Sequence, residues 1–213
     1  MTNVDHCAQE AERLASAEGL IAMGSLQDGD DAILLLGTGP EFWSRFQISA
    51  EYGDAEPHPL DRWSIRVLGA IAQATGAQLR LPFGGPPYAP FIAWAQRTGR
   101  AWQSPVGMLV DAQAGMMISY RGALIWSGAT LPVDPTTNPC TPCAAPCADA
   151  CPVDALSANA PYDVAACKAY LETAPGQDCR DNGCKVRRAC PVSVQFGRDP
   201  AQSAFHMRAF HPT

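Results

Sequence analysis

The chain has 213 residues, 47% apolar and 17% charged, enough for one generous core or a mid-sized domain with a smaller one attached, and too apolar for a disordered chain. A net charge of −6 argues against a nucleic-acid-binding surface, which needs excess positive charge. No run reaches the roughly 18–20 apolar residues that cross a bilayer, and the opening MTNVDHCAQE carries acids and lacks the apolar stretch of a secretory signal, so a cytoplasmic location is expected.

In chain order, residues 4–18 read as a helix with Val4, Cys7, Ala11 and Leu14 on one face, which makes Cys7 a small buried hydrophobe. Leu20–Leu26 and Ala32–Leu36 read as strands joined by the turn QDGDD. GTGPEFWSRF reads as a loop opening a short helix at Pro40. It is not a dinucleotide loop, because Phe42 stands where the third glycine belongs. The clearest helix is 59–75, with an apolar stripe of Leu60, Trp63, Val67, Leu68 and Ile71. A strand at Gln78–Leu81 leads into the Gly/Pro-rich loop PFGGPPYAP and a helix through FIAWAQRTG. Val106–Val110 and Met116–Tyr120 read as a hairpin across DAQAG, extended by Leu124–Trp126. Five prolines between 132 and 146 then break regular structure, which places a domain boundary near residue 131.

Nine cysteines without an export signal point to metal binding rather than disulfides. Eight lie between Cys140 and Cys190. The first series, Cys140-x2-Cys143-x3-Cys147-x3-Cys151-Pro152, departs by one residue from the bacterial ferredoxin pattern C-x2-C-x2-C-x3-C-P. The second is Cys167, then Cys179-x4-Cys184-x5-Cys190-Pro191. If the two series exchange closing cysteines as in two-cluster ferredoxins, one [4Fe–4S] cluster takes Cys140, Cys143, Cys147 and Cys190. The other takes Cys151, Cys167, Cys179 and Cys184. Two alternatives stand: structural zinc, which also uses C-x2-C knuckles, and a single cluster with the sparser series left structural. Charge is uneven too. Residues 1–139 carry 14 acids and 8 basic residues and residues 140–213 carry 7 of each, with Arg180, Lys185, Arg187, Arg188 and Arg198 crowding the second series. Cations there would ease reduction of an anionic cluster, or form a solvated face.

From Cys140 to Pro191, CADACPVDAL and YDVAACKAYLET resemble the iron–sulfur domain of epoxyqueuosine reductases and corrinoid reductive dehalogenases. Further upstream, LLLGTGPEFWSRF, HPLDRWSIRVLGAIAQATGA and SPVGMLVDAQAGMMISYRGALI resemble cobalamin-processing proteins of the cblC type. The resemblances imply an α+β protein: a nitroreductase-like α/β domain over 1–131 and a ferredoxin-like 2×[4Fe–4S] domain over 132–213. They further imply a corrinoid (cobalamin) bound by the first part and electrons delivered to its cobalt, supplied by a donor protein of ferredoxin or flavodoxin type. The departure is in PFGGPPYAP, which holds no Asp or Glu where epoxyqueuosine reductases carry a catalytic acid. Tyr88 in that loop is the proton-donor candidate, as a tyrosine serves the dehalogenases; packing beside prolines is its bland alternative. His58 is a candidate cobalt ligand or an ordinary capping residue, and Arg121 a candidate for corrinoid amides or a strand-end arginine in solvent. The expected function is an iron–sulfur reductase acting on or through a corrinoid. A ferredoxin-like carrier docking a partner protein, without catalysis of its own, is the alternative.

Overall fold

The computed structural model describes residues 3–212. Its elements are α1 (Asn3–Ala17), β1 (Leu20–Asp28), β2 (Asp31–Thr38), α2 (Phe42–Gln47), α3 (Ala50–Gly53), α4 (Pro59–Thr75), β3 (Gln78–Arg80) and α5 (Phe91–Arg97). Then come β4 (Ala101–Gln103), β5 (Leu109–Asp111), β6 (Tyr120–Ser127), α6 (Val164–Leu171), α7 (Gln177–Asn182), α8 (Lys185–Ala189), α9 (Pro191–Phe196) and α10 (Pro200–Phe210). Two compact units result, one of residues 1–100 with 119–137, the other of 101–118 with 138–213.

The first unit is an antiparallel sheet in the order β1-β2-β6-β3. β1 and β2 form the expected hairpin, with Asp28 paired to Asp31 across a two-residue turn. The interior strands β2 and β6 are buried along nearly their whole length, so they read as continuous apolar runs instead of alternating ones. α4 supplies the sheet's cover, packing on β3 and β6 and against α1. Its stripe of Leu60, Trp63, Val67, Leu68 and Ile71 is buried as expected, joined by Ser64 and Ala72. The approach is close: a side chain at Gly122 of β6 would meet Leu68 Cδ1 at 2.6 Å. On α1 the buried residues are Ala8, Ala11 and Ala15, so the face is turned by about one residue from the one expected, and Cys7 is half-buried. α2 begins at Phe42, two residues after Pro40, and its Phe42 and Phe46 meet Trp63 edge to face at 5.0 and 6.2 Å.

The expected hairpin across DAQAG does not form. β4 pairs with β5 instead, and Met116–Ile118 is not a strand. The DAQAG stretch closes on itself through a bridge between Asp111 and Gly115, with the Asp111 carboxylate accepting from the amides of Gln113 and Ala114, both at 2.8 Å. Leu124–Trp126 belongs to β6, in the other unit. Residues 101–118, assigned by sequence to the N-terminal part, pack with the cysteine-rich tail, so the tail does not stand as a separate ferredoxin-like domain beginning at 132. Beyond 138 the described residues form turns and five short helices; α7 packs on α10 and α6, and α8 on α9.

Candidate metal centre in the second unit

The eight tail cysteines are placed by short helices and the turns between them. Cys140, Cys143, Cys147 and Cys151 lie in the proline-interrupted turns before α6, Cys167 on α6 and Cys179 on α7. Cys184 precedes α8 and Cys190 ends it, with Pro191 starting α9 as the first helical residue. That proline needs no amide donor, so the chain turns sharply and the thiol of Cys190 is left facing the first series.

Two sets of neighbouring thiols follow. Cys140 is pushed up from its ordinary pKa by burial first, then by the nearby thiolates of Cys190, Cys147 and Cys143. Cys147 is raised by burial and by Cys190 and Cys143. The neighbours of Cys167 are Cys184 and Cys151, and that of Cys179 is Cys184; burial raises both. No cysteine is disulfide-bonded. Among the described residues, no three His, Cys, Asp or Glu are drawn together tightly enough to hold a metal ion.

The first quartet lines a cavity of about 270 Å³. Its Cys140, Cys143, Cys147 and Cys190 share the wall with Val110, Met116, prolines and alanines, and no charged residue lines it. Cys147 and Cys190 lie in one buried apolar cluster with Val106, Val110, Met116 and Val186. Backbone amides point at two sulfurs, Ala145 to Cys143 Sγ at 3.4 Å and Ala155 to Cys151 Sγ at 3.3 Å. The side chain of Asn138 caps the amide of Cys140 at 2.9 Å.

The second quartet has polar surroundings. Burial, and then the neighbouring Cys167 thiol, raise the pKa of Tyr162. Lys185 and Arg188 both reach Asp178, at 3.5 and 2.6 Å, and both bear on Cys179.

The candidates in the first unit do not converge. His58 is exposed, holds a left-handed backbone (φ 54°) ahead of α4 and makes no side-chain cap. Tyr88 is 65% exposed in the loop after β3. Arg121 is the second residue of β6 and is not in solvent. It lies inside β6, buried, where its guanidinium donates to Asp61 at 2.7 Å and to the Ser64 hydroxyl at 2.9 Å and sits 5.5 Å from the Phe83 ring centre. With its donors so engaged, it serves packing of α4 on β6. Trp94 is buried and donates to Asp28 at 3.1 Å. Sequence reasoning missed Arg121's partners because Asp61 and Ser64 are 60 and 57 residues away; it missed Tyr162 because no spacing rule ties a tyrosine to a cysteine cluster.

No family model matches the chain, and no curated protein matches it. Among solved structures it is similar to the crystal structure of a C. elegans B12-trafficking protein, CblC, a homologue of human MMACHC, with a TM-score of 0.53 and 13% identity. The likeness covers 99% of this chain and 97% of that one, so it runs through the cysteine-rich tail as well as the N-terminal segments that resemble cblC-type proteins in sequence. No helix among the described residues is long and apolar enough to cross a membrane. The chain has an α+β fold that resembles CblC over its whole length.

Proposed function

We propose that the protein is an iron–sulfur reductase that carries electrons through two [4Fe–4S] clusters to a corrinoid. The observation that supports the iron–sulfur part is the apolar cavity lined by Cys140, Cys143, Cys147 and Cys190. Cys140, Cys143, Cys147 and Cys190 would hold one cluster and Cys151, Cys167, Cys179 and Cys184 the other, in a ferredoxin-like arrangement. The donor set fits: four thiolates each, amides aimed at Cys143 and Cys151, and a cavity without charge.

Such clusters supply low-potential one-electron transfer, which reduction of cobalt(II) requires. The protein's own residues bury the ligands, exclude water with Val106, Val110 and Met116, and set local charge. An external donor of ferredoxin or flavodoxin type would load the electrons. The corrinoid part rests on the fold likeness to a B12-trafficking protein. Arg121 is committed to Asp61 and Ser64, and His58 and Tyr88 share no site, so no residue role toward a corrinoid is derived.

The exposure of Tyr88, with no second catalytic group near it among the described contacts, favours one other reading, a ferredoxin-like carrier that docks a partner protein. Anaerobically purified protein mixed with cob(II)alamin and a low-potential reductant separates the two. The reductase reading expects conversion of the cob(II)alamin spectrum faster than with reductant alone. An unchanged rate with intact clusters contradicts it and leaves the carrier.

A further inference from the structure

The short helix α6 carries Cys167, and no other cysteine lies between Cys151 and Cys179. It is lightly seated in the second unit. Of its eight residues only Leu171 is buried, while Val164 is 41% exposed and Cys167 is half-buried. The chain leading into it, residues 157–161, is exposed and irregular. Its first turn is closed locally, by the Asp163 carboxylate accepting from the Ala166 amide at 2.9 Å.

The end of the chain grips this helix. The Phe210 ring stacks on Tyr162, just ahead of α6, with centres 6.3 Å apart and planes 20° apart. The Lys168 ammonium lies 5.4 Å from the centre of the same Phe210 ring. The next residue, His211, brings its Nε2 to 3.3 Å from the Glu172 carboxylate at the C-cap of α6. Tyr162, Lys168 and Glu172 run from one end of the helix to the other, so two adjacent side chains hold its whole length. α10, which ends in them, is a firm post. It packs on α7, buries Gln202, Ser203 and Ala204, and runs so close to Gly183 that a side chain there would meet Ser203 Cβ at 2.7 Å.

We propose that α6 is a door to Cys167 and that Phe210 and His211 are its latch. A helix with one buried residue, held by a ring stack, a cation over a ring and a largely exposed ion pair, opens locally at far lower cost than an element of the core. With the latch engaged, Cys167 stays half-buried. With it released, α6 swings on residues 157–161 and presents Cys167 to solvent, which opens the second set of cysteines for loading or removal of a metal group. Access to Cys167 is independent of which metal the thiols hold; that the cargo is an iron–sulfur cluster rests on the reading above. Neither latch residue lines the cavity of the first four cysteines, so the device acts on one set alone.

The test is alkylation of anaerobically purified full-length protein with iodoacetamide, followed cysteine by cysteine by peptide mass spectrometry. Iron is counted in every sample. Phe210→Ala is expected to raise the alkylation rate of Cys167 by about fivefold, His211→Ala by a smaller factor and the double variant by more, while Cys147 and Cys7 keep their native rates. Phe210→Tyr, which keeps the ring, keeps the native rate at Cys167. Hydrogen exchange in the double variant speeds up over Val164–Leu171 and not over β6. A Cys167 rate unmoved in the double variant, or a rise shared equally by all the cysteines, overturns the proposal. If the variants do not fold, native protein decides alone: the amides of α6 should exchange faster than those of α7 and α10, and equal exchange overturns the door. Native protein without iron, in which the Cys167 response persists, supports the door and overturns only the cluster as its cargo.

Discussion

Arg121 is buried inside β6, with its charge met by Asp61 and Ser64 and its flat face over Phe83. Breaking a buried ion pair from one side strands the other charge, at 3–5 kcal/mol for a fully buried pair. The Asp61 side chain keeps about a third of its surface in water, so Arg121→Met should cost about 3 kcal/mol in urea unfolding, the lower end of that range. A loss under about 1 kcal/mol would show that the guanidinium is not what ties α4 to β6. The same change should leave the iron content untouched, because Arg121 lies in the first unit and the tail cysteines in the second. The expectation of a strand-end arginine in solvent does not hold. A single arginine after a strand-like run says nothing about partners that arrive from a helix 60 positions earlier.

Among elements, the helix α4 was legible to the residue, because its stripe has one strong period and Pro59 and Gly76 mark its ends. The hairpin of β1 and β2 was legible for a similar reason, with its polar turn between apolar runs. The error at DAQAG has a physical cause: Asp111 accepts two amides of its own loop, and Ser193 Oγ accepts the Met116 amide at 2.8 Å, so the backbone donors a second strand would need are already used. Gly115 is held there at φ 58°, and a side chain on it would lie 2.4 Å from the Ser193 amide. Gly115→Ala should therefore destabilise the protein by more than about 1 kcal/mol, and Ser193→Ala by about 1–3 kcal/mol through the orphaned amide. Both are read by denaturant unfolding, and a neutral result at either would place the segment elsewhere. Acid stability belongs to this scale too. The Glu51 carboxyl is held below its ordinary value by the hydrogen bond from Arg66, Asp28 by Arg97 and Trp94, and Asp54 by Arg62. Their folded values are depressed, so what they contribute is present above the unfolded values of 4.5 and 3.8 and is lost as pH falls below them. Stability against urea should be level above about pH 5 and decline below about pH 4. Glu51→Gln should lower the plateau and soften the decline, and a decline as steep as in the native protein would remove Glu51 from the account.

At the scale of the molecule, the α+β class was readable, and the division of the chain was not. Cysteine spacing is a local signal, and four of the eight, Cys140, Cys143, Cys147 and Cys190, line one cavity in the folded tail. The membership of residues 101–118 in the second unit depends on packing against α8 and α9 residues such as Val186 and Val192, which no local pattern announces. The dominance of turns and short helices after residue 138 also means that little regular structure holds this unit together. Metal binding that gathers eight thiolates should contribute much of its stability. The most direct measurement of the central claim is iron, acid-labile sulfide and zinc per chain on anaerobically purified protein, with visible spectra before and after dithionite. The account predicts about eight iron and about eight sulfide with a brown colour that bleaches; zinc without iron, or about four iron, would contradict it.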